Sequence, residues 1–102
     1  MRPYYSEFVR HCLRYYIKTI DDGEFFPNFR SEADRRNWNA CHDVMKDMPK
    51  EEKDVLFRIY RKGDTIADNI YHLSIERGVT QDALWAVAVR LERKIAKKRG
   101  LL

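Results

Sequence analysis

The chain has 102 residues, 44% of them hydrophobic and 13% aromatic, which suits one domain with a modest core and excludes a wholly disordered chain. A net charge of +4 suits an anionic partner, and two cysteines are too few for a secreted disulfide scaffold, so a cytoplasmic protein with reduced thiols is expected. Met1-Arg2-Pro3 leads into tyrosines and arginines instead of an apolar run, and no stretch approaches a membrane span, so neither a secretory signal nor a membrane partner is expected.

The first predicted helix runs from Tyr4 to Ile20, or starts one turn later at Ser6 and Glu7. It places Tyr5, Val9, Cys12, Leu13, Tyr16 and Ile20 on one side, and Asp21-Asp22-Gly23 ends it. Residues 24–30 form a loop, because Pro27 opposes a helix there; Phe25, Phe26 and Phe29 are expected to lie over the core as lids. Ser31, with Asp34 three residues on, opens a second helix whose inner stripe is Trp38, Cys41, Val44, Met45 and Met48. Pro49 stops that helix and suits the first turn of the next.

The third helix, Lys50 to Lys62, turns Val55, Leu56, Ile59 and Tyr60 inward, and Gly63 caps it. The fourth runs from about Thr65 to Arg77, with Ile66, Ala67, Ile70 and Leu73 inward. Thr80 caps the fifth, in which Leu84, Val87, Ala88, Leu91 and Ile95 recur at helical spacing. No β-alternation of useful length, internal repeat or low-complexity linker interrupts this series. The fold class is therefore expected to be all-α, a five-helix single domain over residues 1–102. Residues 4–48 would supply two helices and an aromatic loop, and residues 49–99 a three-helix, helix-turn-helix-like unit.

Charge is divided unevenly between these parts. Residues 1–49 carry eight basic and eight acidic side chains, whereas residues 50–102 carry twelve and eight, so the whole excess lies in the second part. There, the short turn Arg77-Gly78-Val79-Thr80 leads into a helix with Arg90, Arg93, Lys94, Lys97, Lys98 and Arg99. A glycine-containing turn before a basic helix is the pattern of a helix-turn-helix reader of double-stranded DNA. On that reading Gln81, Asp82, Trp85, Ala86, Arg90 and Arg93 border the groove, and Lys94, Lys97, Lys98 and Arg99 lie toward phosphates. Gln81 suits adenine and Arg90 a guanine edge. The plainer alternative is that cations near a helix C-terminus favour the macrodipole and stay solvated. Ala83 to Val89 is apolar around the whole helix, which implies burial on more than one side, by the first helices or by another protein. A homodimer through the Trp85 and Val89 side is one such contact.

Pro49-Lys50-Glu51-Glu52-Lys53-Asp54-Val55-Leu56 resembles the opening of sigma-factor region four and of related small phage regulators. Tyr60 to Asp64, followed by Thr65-Ile66-Ala67, is similar to that family's passage into its helix-turn-helix. Leu91, Ile95 and the terminal Lys/Arg cluster resemble its closing segment. The resemblance covers about the last half of the chain, and the segment from Ile70 to Gly78 is about one helical turn longer than is usual there. It implies an accessory transcription regulator of phage or mobile-element type. The alternative is a non-enzymatic interaction module that docks to RNA polymerase or another larger protein.

Chemical motifs are few. His11-Cys12 and Cys41-His42 hint at zinc, but adjacent helical residues point about 100° apart, and metal pairs on helices prefer spacings of three or four. Asp21, Asp22 and Glu24 around Gly23 read as helix punctuation and lack the ligand ladder of a calcium loop. Neither Asp64 with Asp68 nor Glu51 with Glu52 marks a catalytic site, and no phosphate loop, nucleophile elbow or dinucleotide fingerprint occurs. No catalytic residue, metal or cofactor is expected.

Overall fold

In a computed structural model, which describes residues 3–23, 27–61 and 63–102, five helices follow one another: α1 (Ser6–Asp21), α2 (Glu32–Met45), α3 (Lys50–Tyr60), α4 (Ile66–Arg77) and α5 (Gln81–Arg99). No strand occurs among the described residues. The fold is all-α.

Three helix starts follow from side-chain caps. Ser31, Thr65 and Thr80 are extended, and their hydroxyls accept from the backbone N–H of Asp34, Asp68 and Ala83 at 3.2, 3.1 and 3.1 Å. Each bond satisfies one of the donors that a helix N-terminus leaves unpaired. At the other end of α4, Gly78 takes the left-handed conformation at φ 66°, which a side chain would resist. The Val79 N–H then reaches back to the Ser74 carbonyl at 3.1 Å, and α5 begins after only three residues.

Some expected boundaries move. The later start of α1 is the one adopted, so Tyr4 lies outside the helix and is exposed, while Tyr5 is buried. The second helix ends at Met45, short of Met48. The third ends at Tyr60, not Lys62, because Arg61 is extended. Two interactions hold that exit: the Arg61 guanidinium meets the Asp21 carboxylate at 2.8 and 2.9 Å, and the Asn69 amide donates to the carbonyls of Ile59 and Arg61. Ala67 is exposed, contrary to its expected inward position, because Ile66 and Ile70 already occupy the buried side of α4. The lid expectation for Phe25 and Phe26 lies outside the described residues. Phe29 does pack on the core, with its ring 5.9 Å from that of Trp38.

One continuous core draws side chains from all five helices, including Leu13, Trp38, Cys41, Met45, Leu56, Ile59, Ile70, Leu84, Leu91 and Ile95. The last helix is the hub, since α5 packs against each of the other four, most extensively against α2. Its inner face is therefore fixed by packing, and only its outer face is available to a partner.

Candidate nucleic-acid interface

The inner face of α5 consists of Leu84, Ala88, Leu91, Glu92, Ile95 and Ala96, which recur at helical spacing and are buried. The opposite face exposes Asp82, Ala86, Arg90, Arg93 and Lys97, and Lys94 and Lys98 are exposed on the flank toward α2. Gln81 is exposed at the first turn, beside the three-residue connection to α4. The seven consecutive apolar residues are covered on more than one side, with Arg10 of α1 over Trp85, but not all round. Leu84 and Ala88 face the core, Trp85 and Val87 are half-buried, and Ala83, Ala86 and Val89 are exposed. Two of those exposed residues are alanines, so the outer surface near the start of α5 is flat.

Among the described residues, Arg90, Arg93, Lys94, Lys97 and Lys98 form no ion pair. Most other surface cations do: Lys18 with Asp22, Arg35 and Arg36 with Glu32, Lys46 with Asp43, Arg58 with Glu76, and Arg61 with Asp21. The sole acid of the later α5 turns, Glu92, points inward and is consumed by buried partners. The outer face of the last turns is consequently a cationic strip without internal neutralisation. Such a strip attracts polyanions and releases their counterions on contact.

Two of the expected site residues do not belong to this strip. Arg99 falls on the inner side of the helix, where it is half-buried and its Nε donates to Asn37 Oδ1 at 2.6 Å, so it braces α5 against α2 instead of reaching toward phosphates. Trp85 is half-buried, and the Arg10 guanidinium stands 5.8 Å from its ring centre. It lines a concavity with residues of α1 and the start of α4, including Arg14 and Ile66, and does not border the outer face. The structure brings Asp82, Ala86, Arg90, Arg93 and Lys97 onto the outer side, with Lys94 and Lys98 on its flank and Gln81 at its end.

A buried polar cluster went unnoticed in the sequence. Arg10 Nε donates to Glu92 Oε2 at 3.0 Å, the Tyr60 hydroxyl donates to the same oxygen at 2.6 Å, and their side chains join α1, α3 and α5. Burial first, and then the neighbouring Glu92 carboxylate, push the Tyr60 hydroxyl well above the usual tyrosine range, so it remains a donor. The available signal was the position of Glu92 itself, four residues from Ala88 and three from Ile95 on the inner stripe.

The cysteine and histidine pairs are built into the core and its boundary. Cys12 and Cys41 are buried and free, and burial pushes the Cys12 thiol up to about 11 and the Cys41 thiol higher still. Both therefore stay protonated at neutral pH, which disfavours a nucleophilic role. His42 stacks on Trp38, with ring centres 4.8 Å apart, and its Nδ1 lies 3.2 Å from the Tyr16 hydroxyl, while His11 is exposed. Among the described residues no group of three potential metal ligands occurs. Among the described residues no helix is long and apolar enough to cross a membrane.

Comparison with protein families, curated sequences and solved structures returns no match.

Proposed function

We propose that the protein binds double-stranded DNA through α4, its three-residue turn and α5, as an accessory transcription regulator of phage or mobile-element type. The observation that carries this reading is the strip of five exposed cations on α5 that form no ion pair among the described residues. The short turn and the weakly charged opening of α5 support the same reading, since a helix-turn-helix reader uses both. Gln81, Asp82, Ala86, Arg90 and Arg93 would then border the groove, with Lys94, Lys97 and Lys98 toward phosphates. The regulatory role rests on the likeness of the second half to sigma-factor region four.

The test is fluorescence anisotropy with labelled duplexes across a salt series. Affinity is expected to fall steeply with salt, and Lys97→Gln with Lys98→Gln together to reduce the log–log slope by about two units for every sequence. Absence of salt-sensitive affinity for any duplex at low ionic strength would overturn the proposal.

A second reading, a non-enzymatic interaction module, is favoured by Tyr71, Ile75 and Val79. They follow one another at four-residue intervals along α4 into the turn and are 50, 64 and 43% exposed. This strip is a better candidate for self-association than the side holding Trp85 and Val89, because Trp85 is already half covered. Self-association through it predicts a concentration-dependent dimer in sedimentation velocity that Ile75→Glu dissolves. A species of monomer mass throughout the micromolar range would remove it.

A further inference from the structure

Along the seam where α5 meets α2 and the start of α3, three concavities lie end to end. The first and second share Lys94, and the second and third share Lys98. The middle one has a volume of about 390 Å³ and is lined by Val44 and by Lys94, Lys97 and Lys98. The run extends along α5 from Arg90 to Gly100, a rise of roughly 15 Å or about three helical turns. The floor of the first two is apolar: Val44, Met48 and Val87 pack on the core yet remain half-exposed, whereas the third is lined mainly by polar side chains such as Arg36, Asn39 and Asp43.

Its two banks differ. The α5 bank carries Arg90, Lys94, Lys97 and Lys98, none of them in an ion pair among the described residues. The opposite bank carries two acids, Asp43 of α2, which already lies 3.8 Å from Lys46, and Glu52 of α3, against the four cations of α5. A nucleic-acid backbone rewards the cations but gains nothing from a branched aliphatic floor. A ligand that uses both must be apolar on one side and anionic beside it.

We propose that this seam docks an acidic amphipathic helix of a protein partner. Apolar side chains of that helix at i, i+3 or i+4, and i+7 would cover Val44, Met48 and Val87, and its flanking Asp or Glu row would face Lys94 and Lys98. Because those lysines also belong to the cationic strip, the docked helix and duplex DNA exclude one another. This exclusion rests on the duplex-binding reading, whereas the docking itself does not.

The experiment uses the full chain and two labelled synthetic peptides of about 14 residues, a length that spans the seam. They have one composition of Leu, Glu, Ala and Gln. One arranges leucines on a single face with glutamates beside them, and the other scatters the leucines around the helix. The amphipathic peptide is expected to bind about tenfold or more tightly than its permuted form, and Lys94→Gln with Lys98→Gln to weaken it about tenfold. Val44→Ser should weaken the peptide while leaving duplex affinity within about twofold, since Val44 carries no charge for a phosphate to meet. The lysine pair is exposed, so its substitution tests the proposal even where Val44→Ser unfolds the protein.

Equal binding of both peptides, or an amphipathic peptide indifferent to the lysine pair, would overturn the docking proposal. Loss of docking with retained duplex affinity leaves the DNA reading intact. Peptide binding without any duplex affinity supports the groove and removes only the exclusion.

Discussion

Replacing Glu92 with alanine is expected to cost about 3–5 kcal/mol of folding stability, because it strands a buried cation. The Glu92 and Arg10 side chains are only 3 and 11% exposed, and Glu92 Oε2 accepts from both Arg10 and Tyr60. Without the carboxylate, Arg10 keeps only the distant Glu7 carboxylate at 3.9 Å and the face of Trp85, while Tyr60 keeps the Ala88 carbonyl at 3.3 Å. Neither replaces a charge-assisted bond in a dry site. The magnitude measures the penalty for an unmatched charge, not the worth of the pair. Arg10→Met combined with Glu92→Leu is therefore expected to recover most of the loss, since apolar groups of similar volume commonly match a buried ion pair. Urea denaturation reads both variants through the midpoint at unchanged slope. A single-variant loss below about 1 kcal/mol would show that water reaches Arg10.

Trp38→Ala is expected to cost a comparable amount, about 3–5 kcal/mol, through a cavity between α1 and α2. Trp38 is 3% exposed and is surrounded by rings: Tyr16 edge-on at 5.2 Å, His42 stacked at 4.8 Å and Phe29 tilted at 5.9 Å. Its Nε1 donates to Thr19 Oγ1 at 2.7 Å, and that hydroxyl donates in turn to the Tyr16 carbonyl at 2.7 Å. Trp38→Phe retains most of the apolar contact but leaves the Thr19 hydroxyl without its donor, so a smaller loss of about 1–3 kcal/mol is expected. Trp85 remains as a fluorescent reporter in both variants. Equal losses for Ala and Phe would mean that the hydrogen bond, not the packing, dominates at this site.

The features that sequence patterning exposed are those decided within a few residues of themselves. Ser31, Thr65 and Thr80 cap helices because a hydroxyl can reach an N–H three residues on, and Gly78 ends α4 because its backbone tolerates a positive φ. Arg90, Arg93 and Lys97 appear on the outer face, and Lys94 and Lys98 on its flank, because Leu84, Ala88, Leu91 and Ile95 determine the inner one. Features that depend on distant partners were not visible in this way. Glu92 looks like one more surface charge until Arg10, 82 residues earlier, arrives beside it. Arg99 belongs by composition to the cationic tail, yet Asn37 holds it from 62 residues away. Trp85 suits a groove-facing role by sequence alone, yet Arg10, 75 residues earlier, stands over its ring. Helical periodicity states which side of a helix is apolar, but not which neighbour will meet a polar group at its edge.

The position of α5 as hub of the core also bears on how the chain is made. The α5 helix supplies packing surface to all four that precede it, so the earlier helices, although they also pack on one another, leave the ribosome with part of their apolar stripes uncovered. At about 5–20 residues per second, the 19 residues of α5 take roughly one to four seconds to synthesise. Over that interval the parts of the core that α5 covers remain open. Folding is thus obligatorily late, and a nascent chain arrested before residue 81 should be a substrate for chaperones that recognise exposed apolar helices.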